Sequence, residues 1–371
     1  MRLFRDIGKL SPKYIPRRLP HREDDISKLL SFFPEDMFLP ITVQVVGPAG
    51  CGKTSVSILS GKKLFSERNV YPIYVNLKIA QNKHFIYSMF IQSLRRDIST
   101  RSLSADEILY KFLKYLDKTN RRVLIILDEI GYYVGTKDTS IIYDITRLNE
   151  FPNIDKMNVI GVILISRNTN WQKLLDESER SSLGQLILQL KKYSKEELLD
   201  ILEYRCSEAL KPGKISIDVL EYIADTTVNE ADSDVRYALD IIYYSGLLAE
   251  RRGSQTITFE HVREVLSTIT SPTITNEDLM NLNDTERNVL LAVALALKSK
   301  KEAYVSFTEV YSEFKEIYPK PNLKKLENNL QSLEDKGVIV VRGFKRIGLN
   351  VPTERLIPFL ERLIERIKET Y

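Results

Sequence analysis

The sequence predicts an α/β domain built on a parallel sheet, followed by a smaller all-helical region and a C-terminal winged helix-turn-helix. Three observations carry that prediction. Apolar strands and amphipathic helices alternate from residue 41 to residue 165, the order that lays strands side by side in one parallel sheet. Beyond Tyr193 the apolar spacing becomes purely helical. Residues 280–371 read as three helices and then two short strands about a basic turn, which is the order of a winged helix.

The first strand leads into the most informative stretch, residues 43–55, VQVVGPAGCGKTS. Ile41, Val43, Val45 and Val46 make a β-branched run, and Gly47-Pro48-Ala49-Gly50-Cys51-Gly52-Lys53-Thr54 fits the pattern GxxxxGK[ST] at every fixed position. In that pattern glycines let backbone N–H groups approach a polyphosphate, and Lys53 reaches its terminal phosphates. Thr54 and Ser55 open a helix whose N-terminus favours anions. Residues 123–129, VLIILDE, are an apolar run ending in Asp128 and Glu129. Such a run suits a strand buried on both faces, and ligands bind at the carboxyl ends of strands in these sheets. Thr54 and Asp128 are therefore the candidates to hold Mg²⁺, and Glu129 the candidate to polarise an attacking water. Together the two motifs point to an ATP or ADP site.

The remaining elements follow from periodicity. A proline-punctuated segment, residues 14–23, is extended and suited to lie across a surface; Ile26, Leu29, Leu30 and Phe33 then fall at helical spacing. Residues 54–68 form the helix after the phosphate loop, 70–77 a second strand, and 85–96, 105–116 and 141–148 further helices. Residues 159–165, VIGVILI, are another buried strand. Ser194 followed by Glu197 is a capping box that starts a helix over 194–210, and helices are predicted over 218–225, 233–250 and 259–268. In the last region helices cover 284–297, 308–317 and 322–335, and strands 338–341 and 347–349 flank Arg342-Gly343-Phe344-Lys345-Arg346. On the third of these helices Leu323, Leu326, Leu330 and Leu333 share one face, while Lys324, Lys325, Asn328, Gln331 and Ser332 lie on the other. Lys324, Lys325 and Asn328, with Arg342, Lys345 and Arg346 of the wing, are the candidate contacts to duplex DNA. A solvated helix face carries similar residues. The resulting division is 1–192 for the nucleotide-binding base, 193–270 for the helical region, 271–279 for a linker and 280–371 for the winged helix.

Composition narrows the function classes. Among 371 residues 43% are hydrophobic, and the net charge is only +4, so attraction to nucleic acid has to come from local clusters. Residues 1–22 hold seven Lys or Arg against one acid, and residues 320–346 hold seven against three. Cys51 and Cys206 are the only cysteines, and His21, His84 and His261 are scattered, which leaves no disulfide framework or His/Cys metal pattern. No apolar run approaches the roughly 20 residues that span a bilayer, so the expected setting is cytoplasmic and nucleoid-associated, with no membrane partner.

With these parts in place, the chain resembles the archaeal AAA+ DNA-replication initiators related to the origin recognition complex and its helicase loader. The resemblance covers nearly the whole chain. It rests on Leu3-Phe4-Arg5-Asp6, Pro16-Arg17-Arg18-Leu19-Pro20-His21-Arg22-Glu23, the loop 47–54, Tyr74-Val75-Asn76, Leu127-Asp128-Glu129-Ile130, residues 180–184 and residues 234–240. It implies an AAA+ base with a helical lid, and it places Tyr14, Ile15, Pro16 and Arg18 near the adenine. Arg236 becomes the lid arginine that reaches the phosphates, and Tyr193 joins the nucleotide-binding set. Arg180 becomes an arginine finger toward a neighbouring subunit, although the other basic position two residues earlier is Ser178 here. The sensor position falls on Arg167 or, with a one-residue shift, on Asn168. The acid usual two residues after Glu129 is replaced by Gly131. Residues 78–96 correspond to an insertion that also touches DNA. The implied partners are double-stranded origin DNA, the replicative helicase and other initiator paralogues, and the implied hydrolysis is slow. An ATP-gated transcription or signalling regulator, and a protein remodeller, are the rival readings; the Pro-His-Arg-Glu segment favours the initiator.

Overall fold

The structure, a computed structural model, describes residues 2–35, 39–80, 82–269, 275–318, 321–343 and 346–370. Lys345 and the first part of the expected linker, residues 271–274, lie outside them. The chain folds as two compact units, one of Ile15–Glu197 with Asp232–Val235, the other of Met1–Tyr14, Leu198–Ala231 and Arg236–Tyr371.

The first unit is organised by five parallel strands: β1 Ile41–Val46, β2 Tyr71–Asn76, β3 Val123–Asp128, β4 Val159–Ser166 and β5 Ile187–Gln189, in the order β2-β3-β4-β1-β5. Alternation of apolar side chains gives the sheet two buried faces. Ile125 and Leu127 pack on one side with Phe90, Phe112 and Leu116 of the helices Lys83–Leu94 and Ala105–Thr119. Leu124 and Ile126 pack on the other with Val56 and Leu64 of the helix Lys53–Arg68. Register aligns the carboxyl ends: Asn76 lies opposite Asp128, Asp128 opposite Ile165, and Val46 opposite Ser166 and Gln189.

The helix Glu177–Ser182, six residues long, shows no period in the sequence, and two other elements of this unit are likewise hidden from periodicity. β5 is three residues long, too short to show a pattern, and the helix Ile130–Thr136 is glycine-containing. The helix expected over 85–96 runs Lys83–Leu94 instead, because the Asn82 side chain accepts the Phe85 N–H and starts it, while Arg95 is extended at φ −142° and ends it. The Ser194/Glu197 capping box forms: Ser194 N–H donates to Glu197 Oε2 at 2.9 Å, and Glu197 N–H to Ser194 Oγ at 3.2 Å.

The second unit holds the helices Ile217–Glu230, Val235–Arg251 and Phe259–Ile269. The chain's start adds to them: Phe4 bridges Leu210, and Leu3 N–H donates to Glu250 Oε1 at 2.5 Å. The helix expected from 233 begins at Val235 because Asp232 and Ser233 both have left-handed backbones. The same unit contains the helices Asp284–Lys300, Phe307–Ile317 and Leu323–Asp335, then a three-stranded antiparallel sheet and the helix Thr353–Thr370. That sheet is β6 Tyr304–Val305, β7 Val340–Arg342 and β8 Arg346–Gly348, ordered β6-β8-β7. β6, the last helix and the short helix Asn276–Met280, which Thr275 caps within the expected linker 271–279, are additions to the expected elements. The hairpin's first strand starts two residues later than expected, since Val338 and Ile339 are buried in the core that Leu326, Leu330 and Leu333 also line.

Candidate nucleotide site and candidate DNA face

The phosphate loop is closed on itself. Lys53 Nζ donates to the carbonyls of Gly47 at 2.7 Å and Pro48 at 2.5 Å, so the ammonium lies within the loop it serves. Thr54 Oγ1 donates to Asp128 Oδ2 at 2.7 Å, which brings the ends of β1's loop and β3 together across the sheet. A hydroxyl and a carboxylate are hard oxygen donors of the type Mg²⁺ takes, and this pair fits that ion. Asp128 is buried, and its other oxygen accepts the Glu129 N–H at 2.9 Å. Glu129 is held at φ +63°, a conformation that costs a non-glycine residue free energy and is found at functional sites. Tyr74 OH also donates to Asp128 Oδ2, at 2.9 Å. Burial, and then the charge of Asp128, push that phenol's pKa well above its ordinary value.

Two of the loop's glycines are compelled. Gly50 has φ +67°, and a Cβ there would stand 2.0 Å from Asp234 Oδ1 and 2.6 Å from Asp234 Cα. Gly52 has φ +94°, with the Tyr193 hydroxyl 3.0 Å from the same hypothetical atom. Tyr193 in turn stacks under the Arg22 guanidinium, 4.0 Å from ring centroid to Cζ, and burial pushes its phenol up to about 12.

Arg22 has no role assigned by the sequence motifs, yet it is buried beside the loop. Its Nε donates to the Cys51 carbonyl at 3.1 Å, one Nη to the Lys191 carbonyl at 2.6 Å, and the other to Asp25 at 3.2 Å. It thereby braces the middle of the phosphate loop. The sequence marks it in two ways, by its place in the Pro20-His21-Arg22-Glu23 segment that carries the family resemblance and by its position one residue before an acidic helix start, Glu23-Asp24-Asp25, but neither gives it this role.

Other candidates are placed as follows. Pro16 is buried, Ile15 is half-buried, and Arg18 is exposed and pairs with Glu23. Tyr14 belongs to the second unit, where its hydroxyl accepts from Lys9 Nζ at 2.7 Å and donates to Glu208 at 3.2 Å. Arg236 belongs to that unit too. Just after β4, Arg167 is exposed, while Asn168 Oδ1 accepts the Asn170 N–H at 3.0 Å and caps the turn. Gly131 faces the Trp171 ring, where a Cβ would meet carbon at 3.2 Å; the tryptophan packs where a longer side chain would begin. Arg180 is exposed and donates to the carbonyls of Gln172 and Leu175 at 3.3 and 2.9 Å. Arg147 Nη donates to Ser178 at 3.0 Å. Among the described residues no group of His, Cys, Asp or Glu could hold a metal by itself, and no helix is long and apolar enough to cross a membrane.

The candidate DNA face is partly engaged within its own unit. Lys324 is exposed, and Lys325 Nζ lies over the Tyr318 ring at 4.7 Å and donates to its hydroxyl. Asn328 is exposed on the same helix. Ser332 is turned inward, donating to Glu286 at 2.7 Å, and Leu323 is 53% exposed rather than part of the leucine face. On the wing Arg342 reaches two acids of the helix Ile217–Glu230, Asp225 at 3.8 Å and Glu230 at 3.4 Å, while Arg346 stacks over Tyr304 at 5.2 Å.

Comparison with known proteins bears on both sites. Residues 199–267 match the family model of the Cdc6 AAA+ ATPase-type lid domain. The chain is 30% identical to the ORC1-type DNA replication protein 1 of Sulfolobus acidocaldarius, over 99% of this chain and 95% of that one. It is also 30% identical to the ORC1-type DNA replication protein 2 of Saccharolobus solfataricus, over 80% and 74%. Among solved structures it is similar to Cdc6p from Pyrobaculum aerophilum, with TM-score 0.82, 25% identity and coverage of 98% and 99%. The Aeropyrum pernix ORC1 protein in complex with DNA is similar at TM-score 0.62, 26% identity and coverage of 98% and 99%. The AAA+ parallel sheet, the lid and the winged helix expected from sequence are shared with these proteins.

Proposed function

We propose, for a chain that belongs to the family of ORC1-type DNA replication proteins, that it binds ATP or ADP as a slowly hydrolysing switch, engages duplex origin DNA, and helps recruit the replicative helicase. The observation that carries the nucleotide reading is the 2.7 Å hydrogen bond from Thr54 to Asp128 beside Lys53. It joins the two motifs, 75 positions apart in sequence from Lys53 to Asp128, at the carboxyl ends of strands in one sheet. Residues 47–55 would cradle the phosphates, Thr54 directly and Asp128 through water would hold Mg²⁺, which would supply neutralisation of phosphate charge, and Glu129 would polarise the attacking water. Arg236 serves the phosphates from the lid, and Arg180 serves a neighbouring subunit's site. Residues 1–192, 193–270 and 280–371 act as base, lid and DNA-binding domain.

The DNA reading is supported by the exposed Lys324 and Asn328, by the wing arginines, and by the DNA complex of the Aeropyrum pernix relative. The full purified chain should retain nucleotide and turn over far below ~1 s⁻¹, under the usual enzyme range. Lys53→Ala should abolish retention, and Glu129→Gln should keep binding while stopping residual hydrolysis. Nucleotide-free protein whose Lys53→Ala variant behaves identically would overturn the nucleotide reading. Co-purification with helicase subunits, and footprinting on the host chromosome, check the rest.

A further inference from the structure

We infer that Tyr74 is a positioning residue for the divalent cation, acting through Asp128; the inference rests on the nucleotide reading above. Tyr74 projects from β2, the edge strand, and is 37% exposed. Core packing therefore explains little of its presence. Its hydroxyl instead reaches across to the neighbouring strand and donates to Asp128 Oδ2 at 2.9 Å, the same oxygen that accepts from Thr54 at 2.7 Å. The Glu129 N–H occupies Oδ1 at 2.9 Å, so the buried carboxylate is held by three donors from three positions in the chain.

Those donors fix more than the carboxylate. Because the Thr54 proton is directed to Asp128, the lone pairs of Thr54 Oγ1 remain for a cation. Tyr74 shares the load of Oδ2 and keeps that oxygen from swinging away when the Thr54 hydroxyl adjusts. Without Tyr74, Thr54 and one backbone N–H are the donors that remain to the Asp128 carboxylate among the described residues, and Oδ2 can rotate toward water. Outer partners of metal-binding carboxylates typically contribute roughly 10- to 100-fold in metal affinity.

The test is a titration of a fluorescent adenine nucleotide against the full chain, wild type and Tyr74→Phe, in EDTA and in rising MgCl₂. Both proteins should bind equally in EDTA. The variant should need roughly tenfold more Mg²⁺ to reach the midpoint of the Mg²⁺-dependent gain in affinity, and its Mg²⁺-dependent rise in melting temperature should shift along the same concentration axis. Identical Mg²⁺ midpoints overturn the assignment while leaving the nucleotide site standing. So does an equal loss of affinity with and without Mg²⁺, which is the signature of a merely structural tyrosine. Wild-type protein that binds no nucleotide in either condition sinks this inference together with the nucleotide reading. The variant removes one oxygen from a partly exposed ring, and Tyr74→Leu, which should show the same Mg²⁺ displacement, separates loss of the hydroxyl from any fault peculiar to phenylalanine.

Discussion

The phosphate loop and the wing are both short turns between regular elements, and each is recognisable from a few adjoining residues. They differ in where their cations find partners. Lys53 is held by carbonyls of its own loop, five and six residues away. Arg342 is held by Asp225 and Glu230, more than a hundred residues earlier. A motif that supplies its own partners can be read in sequence as a finished site. A basic turn whose partners lie elsewhere shows its charge in sequence but not how much of that charge is available.

The contrast can be broken most strongly at a glycine. Gly50→Ala adds a Cβ against Asp234 in a left-handed backbone, and the strain plus overpacking should cost roughly 3–4 kcal/mol; calorimetry and loss of nucleotide binding would read it. Next in size, Arg22→Ala leaves Asp25 and two carbonyls without their donor. A cost of about 2–3 kcal/mol in chemical denaturation is expected, below the full penalty for breaking a buried pair because Asp25 stays partly wet. Lys is a poor rescue, since one ammonium cannot copy the arginine fork.

On the wing the effects should be smaller and should depend on salt. Arg342→Ala with Arg346→Ala should weaken binding to every duplex and reduce the salt slope by about 0.9 for each phosphate no longer neutralised. Glu230→Gln should do the reverse, removing one of the two acids that hold Arg342 and raising DNA affinity by about twofold, in line with the ~0.5 kcal/mol of a pair near the surface. If that variant instead weakens DNA binding, Glu230 presents Arg342 to DNA rather than competing for it, and the contrast between the two turns is sharpened in the opposite sense. The smallest effect should come from Gly343→Ala on the wing, where a Cβ meets nothing within 4 Å; melting should move by less than the ~0.5 kcal/mol typical of surface substitutions.

Most of the first unit is legible in the sequence because continuous apolar strands and amphipathic helices carry strong periodic signals, and the phosphate loop and Asp128 sit at their ends. β5 and the helix Ile130–Thr136 are not, being too short for a period to show. Arg22 and Tyr74 fall in stretches that carry the family resemblance, yet their roles are hidden for another reason: they come from hydrogen bonds to groups 29 and 54 residues away, and nothing local says that an arginine or tyrosine acts as a brace. The winged helix is legible as an order of elements. Its face is less so, because Leu323 and Ser332 sit at the edges of the apolar stripe, where a small rotation decides which side turns inward.

The strand order has a consequence for how the protein is made. β1 lies inside the sheet, yet its two neighbours, β4 and β5, follow it by more than a hundred residues. Asp234, which presses on Gly50, comes later still. During synthesis the phosphate loop therefore emerges long before the strands that flank it and the residue that closes over it. A chain released before residue 234 would carry the complete motif without its finished surroundings, and one released before β4 would leave both edges of β1 open to pairing with other chains. For this protein the interval between translating the loop and translating Asp234 is the period in which the complete motif stands without the residue that packs against Gly50.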